Sequence, residues 1–239
     1  MELERLLRTQ GFGSRSECRA LICSGRVFIN GECSDDPYAD FEPEGFAFVV
    51  DGVSWSYREH AYIALNKPAN VECSHKPRFH PSVYTLLPKP LVTRGVQAVG
   101  RLDEDTTGLL LMSDDGQFIH KCTSPKKNVP KVYAVTTKHA IDDAQIDALL
   151  NGVLLNDEPA AIAAAACERI SEHLLHLTVT EGKYHQVKRM VAAVGNRVEA
   201  LHRVSIGNFT LPVTLKSGEW IWLTAEDLEG LATGNTPTA

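Results

Sequence analysis

Apolar and polar positions along this chain change rhythm several times, and each change marks an element. Leu3, Leu6 and Leu7 fall on one face of a short helix that Gly11-Phe12-Gly13 interrupts. Ser14-Arg15-Ser16-Glu17 has the spacing of a capping box, so a second helix is predicted to open there and to close at Gly25. Residues 26–29 alternate like a strand and run into Asn30-Gly31, and Asp51-Gly52 separates two further strand-like runs, 46–50 and 53–57. Both dipeptides are what a tight hairpin turn requires, because two consecutive residues must take positive φ.

After a charged link, Arg58-Glu59-His60, residues 61–66 read as an apolar strand stopped by Lys67-Pro68. Residues 109–112 form another, ended by Ser113-Asp114-Asp115-Gly116, while 131–137 and 174–179 alternate as half-buried strands. Asp142 caps a predicted helix that closes at Gly152. In a helix beginning near His185, Val187, Met190, Val191 and Val194 make the i, i+3, i+4, i+7 stripe of a core-facing surface. Strand pairs broken by isolated helices predict an α+β domain with a mixed, mainly antiparallel sheet, not a doubly wound one. The boundary falls near residue 60, giving a small α+β module over 1–60 and a larger domain over 61–235.

Charge changes this picture more than composition does. The 239-residue chain has a formal net charge of −6, which argues against a nucleic-acid partner until its distribution is read. Residues 31–60 hold eight acids and one base, whereas 61–139 hold eleven bases and six acids. Residues 121–138 carry five lysines and no acid, and 181–203 carry five bases against two acids. A basic cleft on an acidic body is therefore compatible with RNA.

No apolar run approaches the ~20 residues that span a bilayer. The start, Met1-Glu2-Leu3-Glu4-Arg5, lacks the apolar core of a secretion signal, so a cytoplasmic protein with no membrane partner is expected. Six cysteines form no Cys-x-x-Cys pair and no zinc-finger spacing, which predicts reduced, mostly buried thiols and no metal site. Gly11-Phe12-Gly13 lacks the third glycine and the preceding strand of a phosphate loop.

Two blocks carry the candidate chemistry. Gly100-Arg101-Leu102-Asp103-Glu104-Asp105-Thr106-Thr107-Gly108-Leu109-Leu110-Leu111 sets a carboxylate beside an arginine just before an apolar strand. About eighty residues on stands Glu181-Gly182-Lys183-Tyr184-His185-Gln186-Val187-Lys188-Arg189-Met190. In content and order these blocks resemble the motifs of pseudouridine synthases, and their wording is most similar to the 16S rRNA enzymes of the RsuA type. Ser14-Arg15, Leu21-Ile22, Gly25, Val27 and Ile29-Asn30-Gly31 likewise resemble the small RNA-binding module of ribosomal small-subunit protein four. Arg5, Arg8, Arg15 and Arg19 would lie on its helix face.

The resemblance implies isomerisation of a uridine in 16S rRNA, free or in an assembling small subunit, by a cofactor-free and monomeric enzyme. The N1–C1′ bond breaks, the base turns, and C5 joins C1′, so nothing is oxidised or added. Asp103 would be the essential carboxylate, attacking C1′ or drawing a proton from C2′. An aspartate covered by a base tends to protonate unless a cation is near, and the resemblance places that cation at Lys188, beside the apolar stripe and able to reach the cleft. Most relatives have arginine there, so the bidentate fork is lost. Tyr133 would stack on the extruded base, and Arg101 would fill the gap it leaves or bind phosphate. Arg189, on another helix face, and Lys131 are assigned to RNA contact. Glu104 and Asp105 read as solvated acids, and His185 and His202 as either structural or RNA-contacting. The alternatives are a 23S rRNA enzyme, whose second block typically reads Asn-Arg-Gln-Val-Arg, and a ribosome-assembly protein without turnover.

Overall fold

The structure, a computed structural model, describes residues 1–232. The expected domain end at 235 lies outside the described residues. The chain forms two compact units, Met1–Ala61 with Leu87–Gln97, and Tyr62–Leu86 with the chain from Ala98 onward.

The first unit opens with α1 (Leu3–Thr9) and α2 (Arg15–Cys23), followed by β1 (Val27–Ile29), β2 (Glu32–Cys33), β3 (Ala47–Val50) and β4 (Val53–Ser56) in an antiparallel sheet of order β2-β1-β3-β4. Both predicted hairpins form, with Asn30-Gly31 and Asp51-Gly52 each at consecutive positive φ. The capping box closes α2: the Ser14 hydroxyl accepts from the Glu17 N–H while the Glu17 carboxylate accepts from the Ser14 N–H. Leu3, Leu6, Leu7, Ile22, Val27 and Phe48 make the core between helices and sheet. The excursion 87–97, with the short α3 (Lys89–Thr93), packs with this unit although nothing in its patterning separates it from the second domain. Gly11 explains the close fit, since a Cβ there would stand 2.0 Å from the Pro90 carbonyl oxygen.

The second unit begins with β5 (Tyr62–Lys67), and the chain re-enters it at β6 (Gln97–Ala98). There follow β7 (Thr107–Ser113), α4 (Gly116–Thr123), β8 (Lys131–Thr137), α5 (Asp143–Asn151), β9 (Ala166–Ser171), β10 (Leu174–Val179), α6 (Gln186–Ala193), β11 (Val198–Ile206), β12 (Phe209–Thr210), β13 (Trp220–Trp222) and α7 (Ala225–Ala232). The sheet runs β13-β5-β7-β11-β8-β10-β9, antiparallel except where β7 and β11 run parallel. This is the α+β, mainly antiparallel architecture expected. Gly108 through Ser113 are buried, so β7 is covered on both faces and reads as a continuous apolar run instead of alternating. One core, including Val135, Leu177, Met190 and Val191, lies under α5 and α6; another, including Leu109, Leu111, Leu223 and Leu231, lies under α4 and α7.

The cysteines are all unpaired, but only Cys18 and Cys122 are buried; Cys33 is exposed on the edge strand β2 and Cys23 at the C-terminal end of α2. The expectation of mostly buried thiols is corrected accordingly.

Candidate active site

The central strands position the site. Gly108 makes their approach possible: it takes φ +97°, and a Cβ would meet the Arg203 backbone oxygen at 2.4 Å in the parallel β7–β11 pairing. The loop just before it, residues 100–106, carries Asp103, and a buried lysine holds that loop in place. Lys67 has no solvent exposure, and its Nζ donates to the carbonyls of Pro68 (3.0 Å), Glu104 (3.1 Å) and Thr106 (2.9 Å). Burial lowers its pKa, opposed by the charges of Asp105, Asp103 and Glu104 and by Cys73. In the sequence Lys67, followed by Pro68, reads only as the stop of a strand. Its burial follows from being the last residue of β5, paired with Gly108.

Asp103 is flanked by two groups from the second block. Lys188 Nζ lies 3.2 Å from one carboxylate oxygen and His185 Nε2 3.3 Å from the other. Lys188 bonds Asp105 more closely, at 2.6 and 2.9 Å, so it bridges two carboxylates. Asp105 is therefore not simply a solvated acid. Burial is the largest single influence and acts against charge at both, but hydrogen bonds and opposite charges together outweigh it: those of Asp105 and Asp103 raise the Lys188 pKa, and those of Lys188, with the His185 charge and a backbone hydrogen bond, lower that of Asp105. His185 takes φ +48° at the start of α6, a conformation that costs a non-glycine residue energy and turns its ring toward the loop. His202 has the other fate: its Nδ1 pairs with Thr107 Oγ1 at 2.8 Å, and burial lowers its pKa.

A cleft of about 220 Å³ opens beside Asp103, lined among others by Arg101, Lys131, Tyr133, Lys188 and Arg203. Arg203 is the residue that sequence reading missed. It occupies a buried register of β11, 3% exposed, where Nε donates to the Leu109 carbonyl (2.7 Å) and Nη1 to the Tyr133 hydroxyl (3.4 Å). Its guanidinium carbon stands 5.9 Å from the Tyr133 ring centroid, and Nη2 is buried without a hydrogen-bond partner among the described residues. The only sequence signal was an arginine at an inward position of an alternating strand. Lys131 donates to the Val129 carbonyl, and burial, then Arg203, lower its pKa to about 8.

The remaining predicted RNA contacts divide. Arg101 is exposed at the cleft mouth and makes no hydrogen bond or ion pair among the described residues. Arg189 instead bonds the carbonyls of Tyr184 and Asn156 and lies 3.9 Å from Glu158, outside the cleft lining. In the first unit Arg5 is exposed, Arg15 pairs with the buried Glu4 at 3.3 Å, and Arg19 lies 5.1 Å from the Tyr38 ring centroid.

The RNA pseudouridylate synthase family model matches residues 61–193, and the S4 domain model matches 1–43. The chain belongs to the RNA pseudouridylate synthase family. It is an isomerase acting on uridine in RNA, and the matched span contains Asp103, Tyr133 and Lys188 while Arg203 lies beyond it. The synthase is 39% identical over 234 residues to ribosomal small subunit pseudouridine synthase A of Vibrio parahaemolyticus, covering 97% of this chain and 99% of that protein. It is also 39% identical over 230 residues to the Escherichia coli protein of that name, covering 95% and 98%. An uncharacterised RNA pseudouridine synthase of Bacillus subtilis is 38% identical over 242 residues, covering both chains entirely. A solved pseudouridylate synthase structure superposes with TM-score 0.69 at 34% identity, over 97% of this chain and 99% of that one.

Proposed function

We propose that this synthase converts one uridine of 16S rRNA to pseudouridine, with Asp103 as the essential carboxylate and the uracil extruded into the cleft beside it. The single observation that carries the chemistry is Asp103 set between Lys188 and His185 at the mouth of a cleft containing Tyr133. Both routes at the sugar, attack on C1′ and proton removal from C2′, begin from an ionised carboxylate with a cation beside it. Tyr133 supplies the stacking face, tethered from behind by Arg203. The buried, partnerless Nη2 of Arg203 calls for an acceptor, and a uracil carbonyl is one. Arg101, exposed at the cleft mouth, occupies the gap the base leaves or holds a phosphate. Residues 1–60 grip RNA through the exposed face of α1, and the enzyme works as a monomer in the cytoplasm on rRNA or a partly assembled small subunit.

Specificity for the small subunit is supported by the names of relatives that match almost the whole chain. It is also supported by Tyr184 and His185, which stand where large-subunit enzymes typically carry Asn and Arg. The test is to incubate purified protein with 16S transcript, small-subunit assembly intermediates and 23S transcript, and to map pseudouridine at single-nucleotide resolution. One new site in 16S and none in 23S is expected; a site in 23S alone overturns the assignment.

A further inference from the structure

A second cavity, of about 510 Å³, adjoins the candidate active site and shares the Asp103 loop with it. Arg101, Asp103, His185 and Lys188 line both cavities, whereas Phe79 and Tyr184 line only the second. Single exposed apolar side chains are ordinary on a protein surface. Here two large aromatics, Phe79 at 84% and Tyr184 at 75% exposure, flank one cavity beside the catalytic loop.

Neither is left out by chance of a loose chain. Residues 72–82 form a braced loop: the Glu72 carboxylate accepts from the N–H groups of Arg78, Phe79 and His80 at 2.7–3.2 Å. The neck is closed by Glu72 N–H to the Pro81 carbonyl, Val83 N–H to the Glu72 carbonyl, and the Ser82 hydroxyl to the Ser74 carbonyl. That bracing fixes the backbone at Phe79 while its ring stays in solvent. Also lining the cavity, the Tyr184 ring stacks on His185, with centroids 3.8 Å apart and planes 20° off parallel. The pair is thus a two-ring platform, and its lower ring also touches Asp103.

The acids of the cavity are already engaged. Glu72 serves the loop, Asp105 pairs with Lys188, and Glu104 lies 4.0 Å from His80. The guanidinium groups of Arg78 and Arg101 make no ion pair among the described residues. Exposed aromatic faces with free cations at the rim match an unpaired nucleobase and its phosphate, because every base offers a π-face and stacking needs no particular edge.

We propose that this cavity is a stacking subsite for one unpaired nucleobase of the RNA, the direct neighbour of the extruded uridine, seated on Tyr184 and covered by Phe79. The proposal rests on the reading of the first cleft as the uridine site, since a residue joined to that uridine by one phosphate reaches the adjoining cavity.

Binding tests it without turnover. The full chain carrying Asp103→Asn is titrated with single-stranded RNA nonamers holding a central uridine and 2-aminopurine riboside on its 5′ or its 3′ side. Matched nonamers with an abasic residue in that place serve as controls. Emission of one of the two fluorescent probes is expected to fall on binding. Phe79→Ala and Tyr184→Leu, added singly, should restore it and weaken that probe's binding by about fivefold to a hundredfold. On the matching abasic RNA both variants should bind as the parent does. Unchanged emission of both probes, no bound nonamer, or the same loss on abasic RNA would overturn the subsite. Failure of the wild-type protein to make pseudouridine would instead count against the isomerase reading and leave these binding results standing.

Discussion

Lys188 reaches Asp103 at 3.2 Å across eighty-five residues of sequence, with its Nζ shared between that carboxylate and the one two residues on. The sharing matters because a lysine, unlike an arginine, offers a single charged point and no planar fork. Removing it leaves two carboxylates without a cation between them. Lys188→Met should therefore lower pseudouridine formation at neutral pH by about a hundredfold or more, while Asp105→Asn, which frees the lysine for Asp103, should cost far less. Single-turnover assays on a saturated RNA complex check both. Equal losses in the two variants would show that Asp105, and not its release of Lys188, governs the rate.

Asp103→Asn should abolish turnover while RNA affinity stays within a few-fold, since the asparagine keeps the shape and loses the charge. Measurable pseudouridine from the asparagine enzyme removes Asp103 from the chemistry.

How the site comes together was only partly legible in the chain. Asp103 and Lys188 lay in recognisable blocks, and the capping box and both hairpin turns announced themselves through residues with one stereochemical use. Lys67 and Arg203 did not. Each sits at the inward end or register of a strand, where charge contradicts burial, and periodicity reads such a residue as a terminator or as surface. What makes their burial tolerable is a set of backbone carbonyls from other strands and loops, which no local pattern encodes. The return of residues 87–97 to the first unit is invisible for the same reason: packing partners far apart in sequence decide it.

Lys67 gives the sharpest test of that positioning. Lys67→Met leaves the Pro68, Glu104 and Thr106 carbonyls without their shared donor, a loss of about 1–3 kcal/mol for a buried unsatisfied group. The variant should melt earlier and turn over more slowly, with RNA affinity little changed, because the loop that presents Asp103 loosens. A fully stable variant with slow chemistry would point to a direct part for Lys67 in the reaction.

Lys131 should leave a signature in stability against pH. Its pKa falls from 10.5 to about 8 in the folded protein, through burial first and Arg203 second. Between those values the unfolded chain binds the proton that the folded chain has released, so this group's contribution to stability rises with pH across the window and is flat below it. Relative to wild type, Lys131→Met should be most favourable near pH 7 and lose that advantage as pH rises from about 8 toward 10.5. Denaturant midpoints at several pH values give the difference. A difference independent of pH would mean that Lys131 titrates normally.

The arginines of the first unit are not equivalent, and salt dependence should separate them. Arg5 and Arg8 are exposed on α1 and form no ion pair among the described residues, whereas Arg15 is 3.3 Å from the buried carboxylate of Glu4. Neutralising a phosphate releases counterions, and each such contact contributes about 0.7–0.9 to the slope of log affinity against log salt. If α1 meets rRNA, the double variant Arg5→Ala, Arg8→Ala should reduce that slope by up to about 1.4–1.8 and weaken binding at low salt. Arg15→Ala should change the slope less, since its charge is already partly spent on Glu4. The rate on saturated RNA should be unaffected in both variants, because none of the proposed chemical groups belongs to this unit. Affinity is measured by filter binding with 16S transcript over a salt series. An unchanged slope in the double variant would place the RNA-gripping face elsewhere, with the five lysines of residues 121–138 as the next surface to neutralise.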